Sequence, residues 1–171
     1  MAIYNSPADR ENQRAILEAY VRLTGALMYE QYHSEVAALD AFVVAKTGET
    51  NHVEVKHRRY TYDDLRSRPG GLRIEATKID AADWLWELQR SKTYVVVEFD
   101  CGTIIEIEVP PGDTLEFGEV PDPRRGTTQH VTHLPWDLAR VIRKAPAPKR
   151  APDRSASRQR GAHGPQTSKA R

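Results

Sequence analysis

The chain of 171 residues has one cysteine, Cys101, which excludes an intrachain disulfide and any zinc site built on several thiolates, and which suits a reducing compartment. It also lacks any apolar run near the roughly 20 residues that a membrane span requires. The opening MAIYNSPADRENQR holds neither the basic nor the apolar segment of an export signal. A cytoplasmic protein with no membrane partner is therefore expected. No internal repeat is present. What is there is an ordinary globular composition, 39% hydrophobic and 29% charged, long enough for one domain with a real core and short for two.

The net charge of +1 conceals a division. Residues 143–171 carry nine Lys or Arg against one acid, Asp153, for +8, whereas the other 142 residues carry 16 basic against 23 acidic groups, for −7. The segment KAPAPKRAPDRSASRQRGAHGPQTSKAR has no aliphatic residue larger than alanine. It cannot bury enough apolar area to offset its ordering entropy. The expected organisation is a folded domain over 1–144 and a disordered basic tail over 145–171, the tail serving either as a solubilising extension or as a nonspecific arm for a polyanion.

Hydrophobic patterning predicts an α/β unit. A helix begins at Pro7 behind a Ser6 cap, with Ala15, Ile16, Ala19, Tyr20, Leu23, Ala26 and Leu27 on one face. Val36 to Ala45 reads as a buried strand, and after a turn at Thr47-Gly48-Glu49 the run from His52 to Arg58 returns antiparallel to it. LRIEAT (72–77) reads as a third strand and Ile79 to Gln89 as a helix. TYVVVEF and TIIEIEV form a hairpin around Asp100-Cys101-Gly102. Residues 110–128, with prolines at 110, 111, 121 and 123, read as loop, and Pro135 to Arg143 as a short last helix docking Trp136, Leu138, Ala139 and Ile142.

The run HVEVKHRRY (52–60) is the most informative stretch. Strand parity puts His52, Glu54, Lys56 and Arg58 on one face and Val53, Val55 and His57 on the other. On the preceding strand Asp40 stands between apolar neighbours, where a carboxylate is costly unless paired, hydrogen-bonded or bound to a cation. A hairpin closing through Thr47 to Asn51 lets Asp40 and Glu54 converge with Lys56 beside them. Two carboxylates offer the hard oxygen ligands magnesium takes, and a lysine beside them can position or deprotonate a water. Asp40 as a turn cap and Glu54 with Lys56 as a solvated edge face are the structural alternatives.

The series LDAFVV, a turn, then VEVK resembles the PD-(D/E)XK nuclease pattern: an Asp at the core of one strand, then Glu-x-Lys on the next. Leu39 stands where the pattern's Pro would be. The resemblance covers roughly Pro7 to Val109. It implies a restriction-endonuclease-like core, a mixed β-sheet flanked by helices, and a magnesium-dependent hydrolysis of DNA phosphodiesters, with manganese as a substitute. By the same resemblance Asp40 and Glu54 are the metal ligands, the Val55 carbonyl is a backbone ligand, Lys56 is the catalytic lysine, and Glu18 on the first helix is the best match for an additional acidic ligand. Arg58, Arg59 and Lys78 are candidate nucleic-acid contacts, within a basic rim that includes His57, Arg66, Arg68 and Arg73. DNA is the expected partner, with RNA left open; paired cuts would call for a homodimer. A catalytically inactive nucleic-acid-binding or protein-interaction module of the same fold is the alternative. His130 and His133 have metal-like spacing without a third ligand, and Tyr29, Tyr32 and His33 could stack on a base but suit core packing better.

Overall fold

The computed structural model describes residues 7–32, 38–123 and 126–145. The Ser6 cap, His33, the expected start of a strand at Val36 and the basic tail from residue 146 lie outside the described residues. In chain order the elements are α1 (Pro7–Thr24), β1 (Met28–Gln31), β2 (Ala41–Val44), β3 (Thr50–Arg58), α2 (Tyr62–Arg66), β4 (Leu72–Glu75), α3 (Ala76–Gln89), β5 (Thr93–Phe99), β6 (Ile104–Glu108), β7 (Phe117–Asp122), β8 (Thr127–Leu134) and β9 (Ala139–Arg143).

Six strands form the main sheet in the order β1-β2-β3-β5-β6-β9, and β4, β8 and β7 form a second sheet of three. All pairings are antiparallel except β3 with β5, which run parallel because α2, β4 and α3 supply the crossover between them. The hairpin of β2 and β3 turns through Gly48 at φ 87°, and that of β5 and β6 through Gly102 at φ 84°, conformations that a residue with a Cβ rarely adopts.

Alternation along the strands divides the core in two. Val53, Val55 and Val96 pack beneath α1 against Ile16, Leu17 and Tyr20. On the opposite face Val95, Val97, Ile105 and Ile107 meet Ile79 of α3 together with Leu72, Ile74 and Leu134 of the second sheet. Each fully buried aliphatic here contributes about 1.5–3 kcal/mol. The helices thus flank a β-sheet core, as expected. Among the described residues no helix is long and apolar enough to cross a membrane.

Several expectations are corrected. The buried stripe of α1 runs through Ile16, Leu17, Ala19 and Tyr20, whereas Ala15, Leu23 and Leu27 remain exposed. The strand expected from Val36 to Ala45 is only Ala41–Val44, and its outer neighbour is an unanticipated strand, β1. LRIE joins the second sheet, not the first, and passes directly into α3. Within the expected loop lies β7, whose Pro121 sits opposite Thr128 at the edge of the second sheet, the one place in a sheet that tolerates a missing N–H. The last helix is a single 3-10 turn at Trp136–Leu138 followed by β9. The free edge of β6 takes this segment as a strand: Arg140 pairs with buried Glu106, Arg143 with Glu98, and these tertiary contacts override a weak helical pattern.

Candidate functional site

The β2/β3 hairpin assembles the site. Ala41 pairs with Val53, so Asp40, in the bend entering β2, falls opposite Glu54. The Asp40 N–H donates to the Val53 carbonyl at 3.0 Å and its own carbonyl accepts from Tyr32, which fixes the backbone on both sides. The Asp40 carboxylate accepts from the Val55 N–H at 2.7 Å through Oδ2 and from Gln13 Nε2 of α1 at 3.1 Å through Oδ1.

Glu54 is 5% exposed, on the face of β3 turned toward α3. Its Oε1 accepts from Lys56 Nζ at 2.9 Å. Lys78 Nζ, from the first turn of α3, lies 2.9 Å from Oε2. Each oxygen of the buried Glu54 carboxylate therefore faces one ammonium. The Asp40 and Glu54 carboxyls are close enough for their charges to interact.

Their environments separate the two acids. Burial, then the adjacent Glu54 charge, pushes Asp40 up to about 6, against the opposing pull of the Val55 N–H and Lys78. Burial also pushes Glu54 up, but the Lys56 and Lys78 ammoniums together outweigh it and hold that carboxyl below its usual range. Both acids are therefore mainly ionised at neutral pH, and Asp40 is the first of the two to take up a proton as the pH falls toward about 6.

The nucleic-acid candidates are placed unevenly. Arg58 follows Lys56 on the same face; burial and the nearby Arg73 guanidinium lower its pKa, while Glu54 opposes them. Arg59 is exposed, and Lys78 belongs to the carboxylate pair itself. Arg68 rests over the Tyr60 ring at 4.8 Å, and His57 lies 3.2 Å from Asp100.

Glu18 is not brought to this pair. It is turned by about 140° around α1 from Gln13. Its side chain is 54% exposed and engages Arg14 at 3.1 Å and the Tyr29 hydroxyl at 3.2 Å. Tyr29 pairs with Val43, three residues along β2 from Asp40, or roughly 10 Å at the rise of a strand. Gln13 is the α1 residue that reaches Asp40, and its spacing three, four and seven residues before Ile16, Leu17 and Tyr20 is the signal that places it on the buried side of the helix. His130 pairs with Glu119, and His133, an odd number of residues away on β8, points to the other face, so the two histidines do not converge. Tyr32 donates to or accepts from Nδ1 of buried His52 at 2.6 Å.

No family model and no curated protein matches the chain. Among solved structures, a Holliday junction resolvase from the archaeal hyperthermophile Archaeoglobus fulgidus is similar, with a TM-score of 0.50 and 13% identity over 77% of this chain and 90% of that one. The likeness is one of fold. The mixed α/β architecture, a sheet core flanked by helices, resembles the restriction-endonuclease-like fold, and the residues of the pocket are what any chemistry must be argued from.

Those residues suit a hard divalent cation. Among the described residues no group of three or more His, Cys, Asp or Glu side chains could hold a metal. Magnesium, however, commonly takes only one or two carboxylates and fills its shell with water and phosphate oxygens. Asp40 and Glu54 could supply such a pair, with Lys78 Nζ now 2.9 Å from Glu54 Oε2.

Proposed function

We propose that this protein is a divalent-cation-dependent nuclease that hydrolyses phosphodiester bonds in DNA, with magnesium as the physiological cation and manganese as a substitute. The observation that carries the reading is the convergence of Asp40, Glu54 and Lys56 on one hairpin of a resolvase-like fold.

In this reading Asp40 and Glu54 hold the cation, with the Val55 carbonyl as a third oxygen. When bound, the cation polarises a phosphoryl oxygen and lowers the pKa of a water. Lys56 Nζ, 15% exposed and 2.9 Å from Glu54, would stand beside the attacking water and offset the charge that grows on phosphorus. Gln13 and the Val55 N–H orient the Asp40 carboxylate so that it presents its remaining lone pairs to the pocket. Attack at phosphorus leaves a 5′-phosphate and a 3′-hydroxyl, the outcome that the PD-(D/E)XK resemblance implies.

Residues 1–142, with a net charge of −7, repel a polyanion unless their charges segregate. Arg58 and Arg73, neighbours on the Glu54 side, offer the local positive surface for flanking phosphates, with Arg59 beside them. The test is incubation of the protein with magnesium and a panel of supercoiled, linear, branched and single-stranded DNA and RNA. Magnesium-dependent cleavage of at least one DNA supports the reading. Binding of DNA without cleavage of any substrate replaces it with a nucleic-acid-binding module of the same fold.

A further inference from the structure

The pocket contains one cation more than the Glu-x-Lys pattern supplies. Lys56 comes with the strand, but Lys78 arrives from α3, at a position fixed by the direct passage of β4 into that helix. Its ammonium is 16% exposed on the side chain and lies 2.9 Å from Glu54 Oε2. With Asp40 and Glu54 ionised, Lys56 and Lys78 already balance the two carboxylates with no metal present, and Arg58 adds further positive charge nearby. A divalent cation entering without any other change would leave an excess of two positive charges in a largely buried space, which is strongly unfavourable. Lys78 reaches Oε2 from α3, a different element from the strand that carries Glu54 and Lys56, so it can withdraw without disturbing the Lys56 contact at Oε1.

We propose that Lys78 is the resident counter-cation of the pocket: it occupies the Glu54 Oε2 position in the metal-free protein and must leave it when a divalent cation binds. This inference rests on the nuclease reading above. The flexible lysine stem lets the ammonium swing out to a phosphate oxygen, so an anionic substrate and the divalent cation favour each other's binding through Lys78. Lys78 is then a positioning residue for metal loading, and its contact with nucleic acid follows from its displacement.

The test is calorimetric titration of the DNA-free protein with calcium and with magnesium, for wild type, Lys78→Met, Lys78→Arg and, as a distant control, Lys92→Met. Lys92 pairs with Glu108 at an exposed position, so it reports any general effect of one lost charge. Removing the competitor in Lys78→Met tightens divalent binding within the roughly 5- to 150-fold range usual for coupled binding events. Lys78→Arg, which keeps the charge, and Lys92→Met stay near wild type. Thermal melts of each variant without metal show that it is folded, and the metal-induced rise in Tm is larger for Lys78→Met than for wild type. Equal or weaker binding by Lys78→Met, with wild type still binding metal and cleaving DNA, overturns the inference alone. Absence of divalent binding in both proteins overturns the inference and the nuclease reading together.

Discussion

Asp40→Asn removes a negative charge from a pocket that resists it. The Asp40 carboxyl is pushed from 3.8 up to about 6 by burial and by Glu54, and at about 1.4 kcal/mol per pH unit this corresponds to roughly 3 kcal/mol of lost stability when the group is ionised. Asparagine gives some of that back. Its single carbonyl oxygen keeps the bond from the Val55 N–H, and its amide faces a Gln13 side chain that can turn to accept, so bonds to a charged acceptor become neutral ones at a cost of about 1 kcal/mol. The variant should therefore be more stable than wild type by about 1–2 kcal/mol at pH 8 without divalent cations. The native Asp40 binds its proton more tightly than the unfolded chain does, so the wild-type penalty is complete above about pH 6 and disappears as the pH falls to 3.8. Urea unfolding in EDTA at pH 8 and pH 4 measures this directly: the midpoint difference should be present at pH 8 and gone or reversed at pH 4. Magnesium should stabilise wild type and not the variant, and because cation binding must displace the Asp40 proton, affinity should fall up to tenfold for each pH unit below about 6. A variant less stable than wild type at pH 8 in EDTA would refute the argument from burial and like charge.

Two further outcomes follow from the placement of side chains. Glu18→Gln should leave cleavage within about twofold of wild type because that residue serves Arg14 and Tyr29, whereas Gln13→Ala should lower it roughly tenfold by freeing the Asp40 carboxylate to turn, an effect of the size seen for ligand-orienting partners. Arg58→Ala and Arg73→Ala should each make the slope of log K against log[salt] for duplex DNA shallower by about 0.9, read from fluorescence anisotropy at several salt concentrations, and unchanged slopes would remove these arginines from the backbone contact.

Strand parity and one short turn made the heart of the site legible. They put Glu54, Lys56 and Arg58 on one face and let Asp40 converge with Glu54, and the fold agrees because a one-residue slip would turn Val53 and Val55 away from α1. The α1 residue beside Asp40 was not anticipated because Glu18 came from the family pattern and not from the helix itself. At about 100° per residue Gln13 falls on the stripe of Ile16, Leu17 and Tyr20, whereas Glu18 lies on the opposite side and serves Arg14 and Tyr29. Lys78 read as a candidate nucleic-acid contact and not as a partner of Glu54, because its approach to Glu54 depends on the crossover between β3 and β5, a long-range arrangement no local pattern reports. The same holds for β9, which becomes a strand only because β6 presents an unpaired edge.

The most direct measurement is cleavage of labelled DNA by wild type and Glu54→Gln side by side, each in magnesium and in EDTA, with the product ends identified. Glu54 is the group that links the cation position to both lysines, and the glutamine keeps its shape without its charge. The account predicts magnesium-dependent cleavage by wild type leaving 5′-phosphates, and a loss of at least about 10²-fold in the variant with its fold intact by thermal melt. Cleavage that persists in EDTA, or that Glu54→Gln retains at the wild-type rate, would contradict it.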